Sequence, residues 1–207
     1  MNPLHRRWLA WQHGDGPWGA LFGRAPADEV VSLDLETTGL DPAHDRILRL
    51  AAVPVRGNRV LLSERFERWV APGRSFGIES IRHHRILPGD LADAEAVPAV
   101  VADFLHWLGP RPLLGYCIAF DIAMLDPWVR ALAGFPLPHR RIDLAAVHLA
   151  HLERTRPERA QRGNLDAILA DTGVPALNRH DALADATATA LAWRVLRARR
   201  TGPAGAA

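Results

Sequence analysis

The chain has 207 residues, 48% of them hydrophobic, and a formal net charge of only +2, enough apolar material for one ordinary core and too weak a field for a purely electrostatic nucleic-acid binder. No apolar run reaches the ~18 to 20 residues of a membrane span, and the N-terminal apolar stretch, interrupted at Gln12 and His13, is too short for a secretory leader. A single cysteine, Cys117, excludes an internal disulfide, and the expected location is cytoplasmic.

Residues 1–28 read as a separate N-terminal extension containing Trp8, Trp11 and Trp18, closed by Gly- and Pro-rich sequence up to Pro26. Trp8 and Trp11 would share one face of a short helix. That helix is expected to pack on the main domain; a partner-binding arm is the alternative. The main domain is expected over residues 29–200, with a flexible tail at 201–207.

Residues 30–35, 47–55 and 59–70 read as strands, with Gly57-Asn58 as the hairpin turn between the last two. Residues 95–108 have helical periodicity and stop at Gly109-Pro110. Residues 112–116 form a short buried strand, and 121–133 a helix that ends at Gly134. Residues 141–143 suggest a brief strand running into a helix to about 151. Residues 153–163 look like an exposed loop, Asn164 caps a helix to about 171, and a last helix runs from about 181 to 199. A meander of strands followed by alternating strands and helices predicts an α/β layer with one mixed sheet.

Five residues within this frame suggest chemistry. Asp34 and Glu36 are two apart on a strand and so share a face. Side by side they repel each other, a penalty that a divalent cation removes. By itself the pair is also compatible with a polar strand end. Asp121 follows a buried strand where a helix begins, a position that equally suits a simple cap. His180 and Asp185 are five apart, about 140° around a helix. They converge only if His180 lies on the loop before the helix and Asp185 on the helix itself.

Taken together, Asp34-Leu35-Glu36-Thr37-Thr38-Gly39-Leu40, Ala119-Phe120-Asp121 and His180-x-x-x-x-Asp185 resemble the motifs of the DEDDh (DnaQ-like) 3′→5′ exonucleases. The family includes the proofreading epsilon subunit of bacterial DNA polymerase III and RNase T. The resemblance covers about residues 29–198. It implies an RNase H-like fold, a five-stranded mixed sheet flanked by helices. It also implies two Mg²⁺ or Mn²⁺ ions, a choice that suits hard oxygen donors. Asp34, Glu36 and Asp185 would hold one ion, with Asp34 shared with a second that Asp121 supports. His180 would be the general base, since its ordinary pKa of ~6.5 suits that role near neutral pH.

Thr37, Thr38, Leu40, His84 and Phe120 match the family's substrate-binding positions, although Leu40 and Phe120 equally suit core packing. Arg85 and Leu87 depart from the family pattern around His84, and Tyr116 and Cys117 stand where many members have His and Asn. Asp143 matches a recurrent Asp, structural or supporting. Arg154, Arg156, Arg159 and Arg162, with Arg140 and Arg141 before them, are candidate phosphate contacts or a solvated loop.

The resulting expectation is an exonuclease acting on single-stranded 3′ ends and releasing 5′-mononucleotides, DNA preferred over RNA. An exoribonuclease is the first alternative, and a non-catalytic nucleic-acid-binding module is the alternative of another class. With no clamp-binding segment or added C-terminal domain in view, the expectation is a stand-alone or differently partnered enzyme. A protein partner would use the N-terminal extension.

Overall fold

The computed structural model describes residues 2–73, 76, 81, 85–178 and 180–201. Its centre is a mixed sheet of β1 (Glu29–Thr37), β2 (Ile47–Arg56), β3 (Arg59–Val60), β4 (Phe66–Ala71), β5 (Glu95–Ala96), β6 (Leu113–Gly115) and β7 (Arg141–Asp143). The strand order is β5-β4-β2-β1-β6-β7, with β3 on the margin of β2. β1 pairs antiparallel with β2 and parallel with β6, which pairs parallel with β7. The five longer or central strands are those the family resemblance implies; β3 and β5 add two residues each.

Residues 59–70 are not the single strand expected from the sequence. A 3₁₀ turn at Leu62–Glu64 divides them. The cause lies opposite, at Pro54. Its carbonyl accepts from the Leu61 N–H (2.9 Å), so the side of Pro54 that should donate to this neighbour is the side with no N–H. The ladder stops there and resumes at the Ala52–Phe66 pair. The Gly57-Asn58 turn forms as expected, with Gly57 at φ 57° and Arg56 paired with Arg59.

Alternation along β1 sorts the two faces. Val31, Leu33 and Leu35 join a core with α2 (Val97–Leu108) and α3 (Ala119–Ala133). Val30 points the other way, into a core with α4 (Leu144–Thr155), α5 (Leu165–Thr172) and α6 (Ala182–Thr201). Ser32, Asp34 and Glu36 share that second face by period two. Ser32 is fully buried, and its hydroxyl donates to the Ala186 carbonyl (2.8 Å). Ala182, Ala186 and Ala190, four apart on α6, are fully buried, so small side chains let this helix lie close to the sheet.

The helix ends follow local chemistry. Asn164 accepts from the Ala167 N–H (2.9 Å) and Asp143 from the Ala145 N–H (2.9 Å), each satisfying a free donor of the first turn. No helix among the described residues is long and apolar enough to cross a membrane.

The N-terminal helix α1 (Pro3–His13) packs on the first core, but not through its tryptophans. Leu9 and Leu21 are the buried residues, Arg6 donates to the Leu21 carbonyl (3.2 Å), and the His13 ring meets Phe135. Trp8 and Trp11 face solvent, Trp11 at 83% exposure. The buried face instead follows Leu9 and His13, leaving Leu4, Trp8 and Trp11 as an outward stripe.

Candidate active site

The motif residues gather where the C-terminal ends of β1, β6 and β7 meet the start of α6. Asp34 and Glu36 stand half-buried on β1, on the face covered by α6. The ladder with β2 shifts register between Glu36 and Thr37, which ends regular pairing at the motif.

Asp121 reaches the same place from the neighbouring strand. β6 ends at Gly115, where a Cβ would lie 2.6 Å from Ile118 Cδ1 and 3.2 Å from the Leu33 carbonyl oxygen. Only glycine lets the chain turn this close to β1. Cys117 then takes φ 53°, and α3 opens with Asp121 in its first turn. The Asp121 carboxyl is buried against the Leu35 backbone N–H. Burial pushes its pKa up to about 8; its own N–H and that of Leu35 oppose the rise, and the charges of Asp143 and Glu36 add to it. A side chain on α3 thus senses both Glu36 on β1 and Asp143 at the end of β7.

His180 lies on the loop, as its spacing from Asp185 requires, and Asp185 is buried in the first turn of α6. His180 adopts φ 63°, an uncommon left-handed conformation for a residue with a side chain. Its backbone N–H donates to the Asp185 carboxylate (3.3 Å). Asp181 caps the helix through the Ala184 N–H (3.0 Å), and its other oxygen is held by Arg49 (2.5 Å). Arg49 also bonds Glu67 and lies over the Trp69 ring, 4.6 Å from its centroid. Arg49 and Asp181 were not among the expected site residues. Arg49 pairs with Glu36 in the β1–β2 ladder, a proximity invisible without the register.

The expected nucleotide contacts behave differently from one another. Thr37 donates to the Gly39 carbonyl (2.7 Å) and Thr38 to Asp45 (2.8 Å), so both hydroxyls brace the turn. The Asp45 carboxylate also accepts from the Asp41 N–H, and it sits where a Gly39 Cβ would be, 2.5 Å away. Leu40 at the tip is 85% exposed, so core packing does not explain it. Phe120 packs partly on the first core. His84 lies outside the described residues.

Beside the site, Arg162 bridges the Asp143 carboxylate (3.1 Å) and Cys117 Sγ (3.6 Å). The six arginines considered together in the sequence part company. Arg162 stays here, Arg156 pairs with Asp171 (2.6 Å), Arg159 lines a separate groove with His148 and Asp171, and Arg140, Arg141 and Arg154 lie along the β7 edge.

Among the described residues, no three His, Cys, Asp or Glu side chains are gathered into a ready-made metal cage. Mutually repelling carboxylates have no reason to close up on their own. The donor chemistry nevertheless fits a hard divalent cation: four carboxylates and no thiolate among the motif positions.

The sequence profile of the RNase T exonuclease family matches residues 31–192, most of the chain. The chain belongs to the RNase T exonuclease family. Among curated relatives it is 27% identical to a DNA polymerase III PolC-type of Thermotoga maritima and 29% identical to that of Staphylococcus aureus, each over 160 residues. These matches cover 77% of this chain but only 11% of the much longer relatives. Among solved structures, Escherichia coli exonuclease I in complex with a dT13 oligonucleotide superposes with a TM-score of 0.69 at 22% identity. That match covers 84% of this chain and 42% of the other. Exonuclease I of Methylocaldum szegediense gives a TM-score of 0.67 at 22% identity, covering 83% and 41%. The fold of this exonuclease-family hydrolase is therefore that of the exonuclease I core, an RNase H-like mixed sheet flanked by helices.

Proposed function

We propose that this exonuclease-family chain hydrolyses single-stranded nucleic acid from the 3′ end, DNA in preference to RNA, and releases 5′-mononucleotides. The observation that carries the proposal is the convergence of β1, α3 and α6. Their Asp34, Glu36, Asp121 and Asp185 come to one end of the sheet, with His180 on the adjoining turn. Asp34, Glu36 and Asp185 are the residues that would hold one Mg²⁺ or Mn²⁺, with Asp34 and Asp121 serving a second. When bound, two such cations supply Lewis acidity at the attacking and leaving oxygens of an in-line displacement.

The chain's own groups do the rest. His180, exposed at the mouth, accepts the proton of the attacking water. Its backbone bond to Asp185 and the Asp181–Arg49 pair hold that turn in place. Leu40 offers an exposed apolar surface for the terminal base, and Phe120 flanks the start of α3. DNA preference draws support from the relatives, since several of the similar exonuclease I structures hold single-stranded DNA and the curated relatives are DNA polymerases. The outward stripe of Leu4, Trp8 and Trp11 supports a protein partner at the N-terminal helix.

The decisive assay uses matched 3′- and 5′-labelled single-stranded DNA and RNA with Mg²⁺, Mn²⁺ or chelator, beside an Asp34→Ala protein. Metal-dependent shortening from the 3′ end, lost in the variant and faster on DNA, is the expected result. Faster RNA shortening would favour the exoribonuclease. Binding without cleavage in every condition would leave a nucleic-acid-binding module.

A further inference from the structure

A groove of about 750 Å³ runs along the sheet edge formed by β7, between α4 and the C-terminal half of α6. Five arginines line it: Arg140 and Arg141 at β7, Arg154 on α4, and Arg197 and Arg200 on α6. Three acids also line it, but each is already matched. Glu29 is held by Arg56 (2.9 Å) and Arg111 (3.1 Å), Asp28 by Arg197, and Asp143 by Arg162 (3.1 Å). Arg140, Arg154 and Arg200 are exposed and, among the described residues, no carboxylate holds their guanidinium groups. Arg141 approaches Asp126 only at 3.9 Å. Arg197 lies over the ring of the largely buried Trp193, 5.3 Å from its centroid. So many guanidinium groups repel one another unless an anion passes between them.

The groove and the candidate site share β1 and α6 but occupy different ends of them. Its lining includes Asp28 and Glu29, at the start of β1, and Asp143, whose charge reaches Asp121. Glu29 and Asp34 are five residues apart on one strand, about 17 Å. A stacked strand advances about 3.4 Å per nucleotide, so roughly five nucleotides would span from Asp34 at the candidate site to Glu29 in the groove. Three unmatched arginines along one groove are the chemistry that neutralises a phosphodiester backbone without reading bases.

We propose that this groove is an exosite for the backbone of the single strand on the 5′ side of the nucleotides held at the carboxylates. It rests on the exonuclease reading for its substrate class, and its test does not depend on catalysis. Anisotropy of 5′-labelled dT4 and dT20 is titrated in chelator at 50 to 300 mM NaCl, with wild type and an Arg140→Gln/Arg154→Gln/Arg200→Gln variant. The expected outcome is a salt slope on dT20 lower by about 2 in the variant, near 0.7 for each phosphate that an arginine no longer neutralises. Affinity for dT20 should fall about tenfold or more at 100 mM, with dT4 binding unchanged. Equal slopes and affinities on dT20, or an equal loss on dT4, would overturn it. If the triple variant has a lowered Tm, Arg154→Gln alone should still reduce the slope by about 0.7, and no change would count against the exosite. Failure of the exonuclease reading would look different: no metal-dependent shortening of dT20 by wild type, whatever the slopes.

Discussion

Arg49 Nη1 lies 2.5 Å from Asp181 Oδ2, and this pair ties β2 to the turn that carries His180. Arg49 is mostly buried and shared with Glu67; its removal leaves Asp181 without a cation among the described residues, while Glu67 keeps Arg65 (3.1 Å). Breaking such a pair costs about 3 kcal/mol, and a displaced turn moves the base. Arg49→Gln should lower kcat on the order of 100-fold, the scale of a 1 Å misplacement, with KM nearly unchanged. Asp181→Asn keeps the cap but loses the charge; Asp181→Ala should cost about 1 kcal/mol more. Urea unfolding with steady-state kinetics on an oligonucleotide checks this. An Arg49→Gln enzyme with wild-type kcat would remove Arg49 from any positioning role.

Asp34→Ala and Asp121→Asn should separate metal holding from folding. Because burial and its acidic neighbours already disfavour the Asp121 carboxylate, the neutral amide should leave the metal-free Tm at pH 7 unchanged or higher. Both variants should lose most of the Tm rise that Mg²⁺ or Mn²⁺ gives wild type, because a ligand stabilises only the state it binds. A full metal-induced rise in Asp121→Asn would take Asp121 out of the ligand set.

His180→Ala should behave in the opposite way. The metal-induced Tm rise and oligonucleotide affinity should persist while kcat falls by 10² to 10⁴, roughly the scale of general-base catalysis. The φ of 63° adds a second signature. His180→Gly should be more stable than His180→Ala by about 1 kcal/mol, since glycine carries no left-handed penalty. The reverse order of stability would argue against that backbone conformation.

His139 governs one part of the acid stability. It is buried, its Nε2 is 2.6 Å from the Gly109 carbonyl, and burial pushes its pKa down to about 4, against the partial support of that bond. The unfolded chain protonates it near 6.5 and the folded chain only near 4. Its contribution is therefore complete above about pH 6.5 and lost as the pH falls towards 4, on the order of 3 kcal/mol. His139→Gln should flatten the stability profile in that window. Parallel wild-type and variant profiles between pH 4 and 6.5 would contradict it.

The N-terminal helix is anchored by Leu9, not by Trp8 or Trp11. Leu9→Ala should cost about 2 to 5 kcal/mol, the range for emptying a core position. Trp8→Ser with Trp11→Ser should leave Tm and basal hydrolysis unchanged. Substitution is a cleaner probe of a partner than truncation of residues 1–28, which would also remove Leu9 and Leu21 from the core. A large stability loss in the tryptophan variant would show that the stripe is not free.

Much of this protein is local and was legible as sequence. The side chains of Asp34 and Glu36 share a face because strands repeat every two residues. His180 had to precede the helix that holds Asp185 because a helix turns 100° per residue. Asn164 and Gly134 mark helix ends through bonds and φ values spanning a few positions. The motifs resemble a family because their chemistry is carried by short, recognisable runs. What the tertiary structure decided is what depends on residues far apart in the chain. Pro54 breaks a neighbouring strand through a missing donor on one side, Arg49 reaches Asp181 across 132 positions, and Leu9 rather than Trp8 faces the core. The burial that lifts Asp121 and the grouping of Arg140, Arg154 and Arg200 into one groove belong to the same class. Periodicity and capping act over one or two turns of chain, whereas register, desolvation and summed charge exist only once the sheet has brought distant segments together.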